Sequence, residues 1–198
     1  MTGKRTVAYI GDSTFFHSGL PALVNAVKEN DNITVIILDN YTAAMTGFQP
    51  SLTTPPPEPP VGARSESRET VGLRSFSIEE AVRGLGVQDV YSVDPYDQEA
   101  ALEALGKAKS GTGVNVVVCH SPCVVDQHRS KRGKKRQPLA IDGEVCNACS
   151  LCVRVLGCPA ILVEDGMHII DPELCDGCGL CAVVCQYDAI HPAAPMRI

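Results

Sequence analysis

Eight of the ten cysteines in this 198-residue chain fall in its last third, in two matched sets. One set is Cys146, Cys149 and Cys152, followed by Cys158; the other is Cys175, Cys178 and Cys181, followed by Cys185. Three thiolates at C-x2-C-x2-C spacing can wrap one side of a [4Fe–4S] cubane, and a remote fourth completes its shell. In carriers of two such clusters the fourth cysteine ligates the other cluster. That rule groups Cys146, Cys149, Cys152 and Cys185 around cluster 1, and Cys175, Cys178, Cys181 and Cys158 around cluster 2. Zinc competes poorly, because it takes four ligands, usually as two C-x2-C pairs, and has no use for the third close cysteine. A disulfide framework competes poorly as well: no signal peptide is visible, and a cysteine-rich chain without one fits a reducing, cytoplasmic compartment. The chemistry expected of this region is one-electron transfer.

A second set of chemistry-bearing residues lies near the start. Gly11-Asp12-Ser13 and Asp39-Asn40-Tyr41-Thr42 each follow a short apolar run. Asp12 and the Asn40 side-chain carbonyl are hard oxygen donors, suited to Mg²⁺ bridging a diphosphate. Gly11 would let a phosphate approach the backbone. The same residue types also serve as plain turn and cap residues at strand ends, so this pair alone leaves both readings open.

The elements that must position these groups can be read from pattern. Val7–Ile10 and Ile33–Leu38 read as buried strands, and Val90–Val93 and Val114–Cys119 as strands. Ser18–Lys28, the stretch from Ser77 to about Leu85 (opened by the capping box Ser77-Ile-Glu-Glu80) and Asp97–Lys109 read as helices. Strands alternating with helices imply a parallel α/β sheet, whose ligands bind at the carboxyl ends of the strands. Residues 49–76, with Pro55-Pro-Pro-Glu-Pro-Pro60 at their centre, read as a loop of polyproline character. Between the cysteine sets, Leu162–Ile170 reads as a β-hairpin turning at Asp165-Gly166, the layout of a small α+β ferredoxin. The expected domains are 1–128, α/β; 129–138, a basic linker; and 139–198, ferredoxin-like. Cys119 reads as a core cysteine, and His120, His128, His168 and His191 read as surface or hairpin residues without metal spacing.

The basic run Arg129–Arg136 reads first as a solvated linker, with docking to an acidic partner or electrostatic tuning of the clusters as functional alternatives. A net charge of −6 argues against general nucleic-acid binding. No stretch approaches the ~18 apolar residues of a membrane span.

Gly11–Ala26 and Val35–Pro50 closely resemble the thiamine-diphosphate-binding domain of the indolepyruvate:ferredoxin oxidoreductase large subunit. The resemblance continues through Ser77-Ile-Glu-Glu80, Val93–Asp97, Ser121-Pro-Cys123 and Leu156–Ile161, and covers nearly the whole chain outside the proline-rich loop. The five residues between Cys152 and Cys158, against three between Cys181 and Cys185, are themselves like that subunit. Gln186 stands where proline usually follows the last cysteine, and Phe48 where histidine is usual, which puts a polar role there in doubt.

The resemblance implies that Asp12, Asn40 and the Thr42 backbone carbonyl ligate Mg²⁺. It places Gly11, Ser13, Thr46, Gly47 and Gln49 at the thiamine diphosphate, with His17 near the thiazolium and substrate; a capping or core role for His17 is the equal alternative. The implied reaction is oxidative decarboxylation of an arylpyruvate, with coenzyme A taking the acyl group. Electrons would leave singly through two [4Fe–4S] clusters to an external ferredoxin.

The pyrimidine-binding domain and the earlier strands of the diphosphate-binding domain are absent from the sequence. Two explanations remain, a split subunit or a truncated reading frame; the expectation is the split subunit, inactive alone, completed by another chain and by a small (beta) subunit. An electron-transfer module whose α/β part only docks to a partner is the alternative.

Overall fold

The computed structural model describes residues 5–56, 74–130 and 137–193. Residues 57–73, which hold much of the proline-rich stretch, and 131–136, most of the basic run, lie outside the described residues. The chain divides into two compact units, Met1–Gln127 and His128–Ile198. Among the described residues no helix is long and apolar enough to cross a membrane.

The first unit is built on a parallel sheet of β1 (Thr6–Gly11), β2 (Ile33–Asp39), β5 (Asp89–Val93) and β6 (Val114–His120), in the order β1-β2-β6-β5. The central strands β2 and β6 read ITVIILD and VNVVVCH, the near-continuous apolar runs of strands covered on both faces. On one face Ile37, Val116 and Val118 pack with Phe15, with Leu23 of α2 (Leu20–Glu29), and with Ile78 and Val82 of α3 (Ile78–Gly84). On the other, Ile36 and Val117 pack with Ala104 and Ala108 of α4 (Gln98–Ser110). Each fully buried valine contributes about 2 kcal/mol by removal from water.

The helices are anchored as their sequences imply. The Ser77 hydroxyl accepts from the Glu80 N–H at 3.1 Å, and the Asp97 carboxylate accepts from the Ala100 N–H at 3.1 Å. The first helical segment differs from expectation. It begins not at Ser18 but directly at Asp12, as one turn, α1 (Asp12–Thr14), then a π turn over Phe15–Gly19, then α2. Close packing onto β1 goes with this: a Cβ at Gly19 would come within 2.8 Å of the Ile10 side chain. The helical run therefore springs from the strand end itself, with its unbonded amides beside Asp12.

Part of the expected loop is also structured. β3 (Thr42–Ala43) pairs antiparallel with β4 (Gln49–Pro50), and Ser51–Thr54 fold back over the strand ends. A further helix, α5 (Val124–Ser130), follows β6 where no element was anticipated.

The second unit is a duplication. One half runs from β7 (Leu139–Ile141) through a cysteine loop and α6 (Leu151–Leu156) to β8 (Ile161–Glu164). The other runs from β9 (Met167–Ile170) through a cysteine loop and α7 (Leu180–Val184) to β10 (Ile190–Pro192). β7 pairs with β10, and β8 with β9. The β8–β9 turn has Asp165 and Gly166 both left-handed (φ 49° and 81°), as a two-residue hairpin of this twist requires.

Candidate functional site

The carboxyl ends of β1, β2 and β6 gather one polar cluster. Asp12 is 5% exposed and Asp39 2%. The Thr53 hydroxyl lies 2.7 Å from Asp39 Oδ1 and 3.2 Å from Asp12 Oδ2, so its single proton favours Asp39. Among the described residues no cationic side chain pairs with Asp12. A buried, unpaired carboxylate is costly, and a divalent cation is the natural compensation.

Past β2 the chain turns through two side-chain-capped steps. The Tyr41 N–H donates to Asp39 Oδ1 at 3.0 Å and the Thr42 N–H to Asn40 Oδ1 at 3.1 Å. From β6, the Ser121 N–H holds the Asp39 carbonyl and the Cys123 N–H holds the Asn40 carbonyl. The Ser121-Pro-Cys123 segment thus positions Asp39 and Asn40 through its backbone.

The remaining expected residues are spread over this rim. A Cβ at Gly11 would meet nothing within 4 Å, so the backbone there is open to a ligand. Ser13 is partly buried in the first helical turn, whose amides suit a phosphate. Thr42 is buried, its hydroxyl donating to the Gln49 carbonyl. Thr46 and Gln49 bond one another across the left-handed Gly47 (φ 116°) at an exposed hairpin tip. His17 is exposed on the π turn.

The site also holds residues that sequence reasoning missed. His120, expected at the surface, is clamped: Nδ1 lies 3.0 Å from Asp39 Oδ2 and Nε2 2.6 Å from Glu79 Oε1. Tyr41 stacks on its ring at 5.8 Å and 11°. Asp39, Tyr41, Thr53, Phe76, Glu79 and His120 line a cavity of about 430 Å³. One signal was legible: His120 ends an apolar strand at the ligand-binding edge of a parallel sheet. The bonds of Thr53 to Asp39 and Asp12, and of Glu79 to His120, join residues distant along the chain and had no local signature.

Burial would raise the Glu79 carboxyl. Hydrogen bonds from His120, from its own backbone N–H and from Ser92, together with the His120 charge, outweigh that and lower it to about 2. Burial, then the Asp39, Glu79 and Asp94 charges, raise the Tyr41 hydroxyl. A depressed carboxyl stabilises the fold above its unfolded value, near 4.5, and that contribution is lost as pH falls through about 2. Glu79→Gln should therefore cost about 1–2 kcal/mol at pH 6, after discounting for partial solvent screening. Urea melts across pH should show the deficit vanish toward pH 2; a constant deficit would refute the linkage.

The cysteines form two separate enclosures. Cys146, Cys149, Cys152 and Cys185 line one cavity, with His168 and Tyr187. Cys158, Cys175, Cys178 and Cys181 line another, whose further walls include Leu139 and Leu174. The two loops wind alike: Ala148 and Ser150 are left-handed (φ 57° and 60°), as are Gly177 and Gly179 (φ 65° and 84°). Backbone N–H groups of Leu139 and Gly177 point at Cys175 Sγ, and that of Ala189 at Cys185 Sγ, each at 3.4 Å.

Among the described residues no three His, Cys, Asp or Glu side chains are grouped as for a single metal ion. A cubane takes its thiolates at separate corners, so four thiols around a space suit it. Burial, then the neighbouring Cys178 and Cys175 charges, raise Cys181 to about 11, partly offset by the Ala182 N–H and reinforced by Cys158. Cys119 is buried in β6 with its thiol raised by burial, consistent with a core residue.

Residues 1–119 match the family model for the thiamine pyrophosphate enzyme C-terminal TPP binding domain, and residues 168–191 that for a 4Fe-4S binding domain. "Indolepyruvate oxidoreductase subunit IorA" of Methanothermobacter thermautotrophicus is 40% identical over 191 residues, covering 96% of this chain and 29% of the relative. The subunit of the same name from Thermococcus kodakarensis is 39% identical, covering 94% of this chain and 28% of the relative. Among solved structures, a 2-oxoglutarate:ferredoxin oxidoreductase from Magnetococcus marinus overlays 74% of this chain and 51% of its own at 20% identity, with a TM-score of 0.47. The chain thus spans less than a third of the length of the curated relatives it matches. It belongs to the thiamine pyrophosphate enzymes, joins their C-terminal TPP binding domain to a 4Fe-4S binding domain, and is homologous to the C-terminal part of subunit IorA.

Proposed function

We propose that the chain is the diphosphate-binding and electron-exit part of an indolepyruvate-type 2-oxoacid:ferredoxin oxidoreductase. The observation that carries this is the presence, in one chain, of a buried strand-end carboxylate site and two four-cysteine enclosures. Asp12, the Asn40 side-chain oxygen and the Thr42 backbone carbonyl would hold Mg²⁺. Gly11, Ser13 and the amides of the first helical turn would receive the diphosphate. Thr46, Gly47 and Gln49 would border the cofactor, and His17 the substrate.

Thiamine diphosphate, when bound, supplies the electron sink that lets a 2-oxoacid lose CO₂. The work of the chain's own residues is to orient the metal and diphosphate and to conduct electrons. Cys146, Cys149, Cys152 and Cys185 would hold one [4Fe–4S] cluster, and Cys175, Cys178, Cys181 and Cys158 the other. Coenzyme A would accept the acyl group, and an external ferredoxin the electrons.

The partner chain would supply the pyrimidine-binding domain and further strands of the diphosphate-binding domain, with a small (beta) subunit alongside. The edge strand β1 supports this, with Tyr9 70% and Val7 47% exposed, and Leu38 of β2 48% exposed beside it. Parallel sheets are normally covered on both faces, so this corner suits an added strand and its packing.

The test is to co-produce the chain with the polypeptide carrying the pyrimidine-binding half and to assay arylpyruvate-dependent reduction of ferredoxin in the presence of coenzyme A. The expected result is activity in the assembly and none in the isolated chain. An assembly with full iron and sulfide content that binds no thiamine diphosphate would overturn the reading.

A further inference from the structure

The two halves of the iron–sulfur unit are related by a shift of 29 residues, which carries Cys146, Cys149 and Cys152 onto Cys175, Cys178 and Cys181. The same shift carries Leu139 onto His168 and Ser150 onto Gly179. Each of the first pair is buried and lines the cavity of the opposite half's cysteines: Leu139 (7% exposed) that of cluster 2, His168 (4% exposed) that of cluster 1. The two halves therefore differ at this buried position, where an imidazole stands in one and an isobutyl group in the other.

Two details give the imidazole a direction. The Ser150 hydroxyl lies 3.0 Å from His168 Nε2, while its alternative acceptor, the Ala148 carbonyl, is 3.5 Å away. The shorter bond has the hydroxyl donating to Nε2, which leaves the ring proton on Nδ1. Nδ1 is buried and has no hydrogen-bond partner among the described residues. Ser150 itself occupies a left-handed conformation (φ 60°) at which the sister loop has glycine. A non-glycine residue is strained there, so the hydroxyl is retained at a cost. A buried N–H without an acceptor costs about 1–3 kcal/mol, and a cluster sulfur is an acceptor of the right kind for this cavity.

Resting on the cluster assignment above, we propose that His168 Nδ1–H donates a hydrogen bond to a sulfur of the cluster held by Cys146, Cys149, Cys152 and Cys185. The bond sets that cluster's reduction potential above that of its sister. Reduction adds one electron and moves no proton; the reduced cubane is one unit more negative and gains more from the donor than the oxidised form does. The corresponding positions of the sister half are Leu139 and Gly179, and Leu139 and Asp176 line the cluster 2 cavity. Electrons arriving at the pair therefore settle on cluster 1. His168 acts as a positioning residue for charge, not as a ligand.

The test is an EPR-monitored redox titration of the reconstituted full chain, with the cluster 1 wave identified by its alteration in Cys149→Ser. In His168→Leu, a side chain the sister half already accommodates, the cluster 1 wave should move to lower potential. At a fixed poise its reduced-to-oxidised ratio should fall about tenfold, about 59 mV for a one-electron couple, with the cluster 2 wave unmoved. His168→Asn, which keeps an N–H near Nδ1, should recover most of the shift. An unmoved cluster 1 wave, or equal shifts of both waves, overturns the proposal.

If His168→Leu fails to assemble cluster 1, Ser150→Gly is read instead. It removes the tether and relieves the strain, and should give a smaller shift of the same sign; no shift overturns the proposal. Failure of the wild-type chain to take up iron and sulfide would instead count against the cluster assignment itself.

Discussion

Asp12→Ala should abolish 2-oxoacid oxidation in the assembled enzyme while leaving both iron–sulfur signals and the melting temperature intact or improved. The reason is local. Asp12 and Asp39 are buried carboxylates bridged by one hydroxyl, so removing one relieves like-charge repulsion in the empty protein. The same change deletes a charged oxygen from the proposed metal shell. Loss of one such contact, at roughly 2.7 kcal/mol, corresponds to about 100-fold in Mg²⁺-dependent thiamine diphosphate affinity. Calorimetric titration of the assembly with thiamine diphosphate at fixed Mg²⁺ measures it, with iron content as the control. This experiment also separates the two functional readings. A docking module with a merely structural α/β part would keep its activity in Asp12→Ala.

Chelating the iron should unfold the second unit and spare the first. The buried side chains of the second unit's core cluster are Leu139, Ile161, Cys181 and Ile190, and four of the nine side chains that pack against them are further cysteines. A unit of this size with so little apolar interior needs a metal centre to close its free-energy balance. The first unit has its own two-faced core around Ile37, Val116, Val117 and Val118. Hydrogen exchange after chelation should therefore show protection lost throughout 137–193 and kept in β2 and β6. Retained protection in the β8–β9 hairpin and in α7 would show that the unit folds without its clusters.

What could be read in the sequence was local or periodic. The apolar runs of β2 and β6, the Ser77 cap and the Asp165-Gly166 turn each depend on a few neighbouring residues, and each stands where expected. The first helical run starts six residues before the expected Ser18. Its start is Asp12 at the strand end, and a π turn that no periodicity encodes joins that first turn to α2.

Legible from residue type and spacing were eight cysteines in two offset sets, oxygen donors at two strand ends, and the alternation that makes a parallel sheet. These are statements about residue type and short spacing, which the chain carries wherever it goes. Only the tertiary structure decided that Thr53 reaches back to join Asp12 with Asp39, that Glu79 and Asp39 clamp His120, and that His168 crosses to the other half's cysteines. Each of those contacts joins residues on different elements, well separated in sequence. Their energy comes from burying polar groups beside one another, and burial does not exist until the elements have packed.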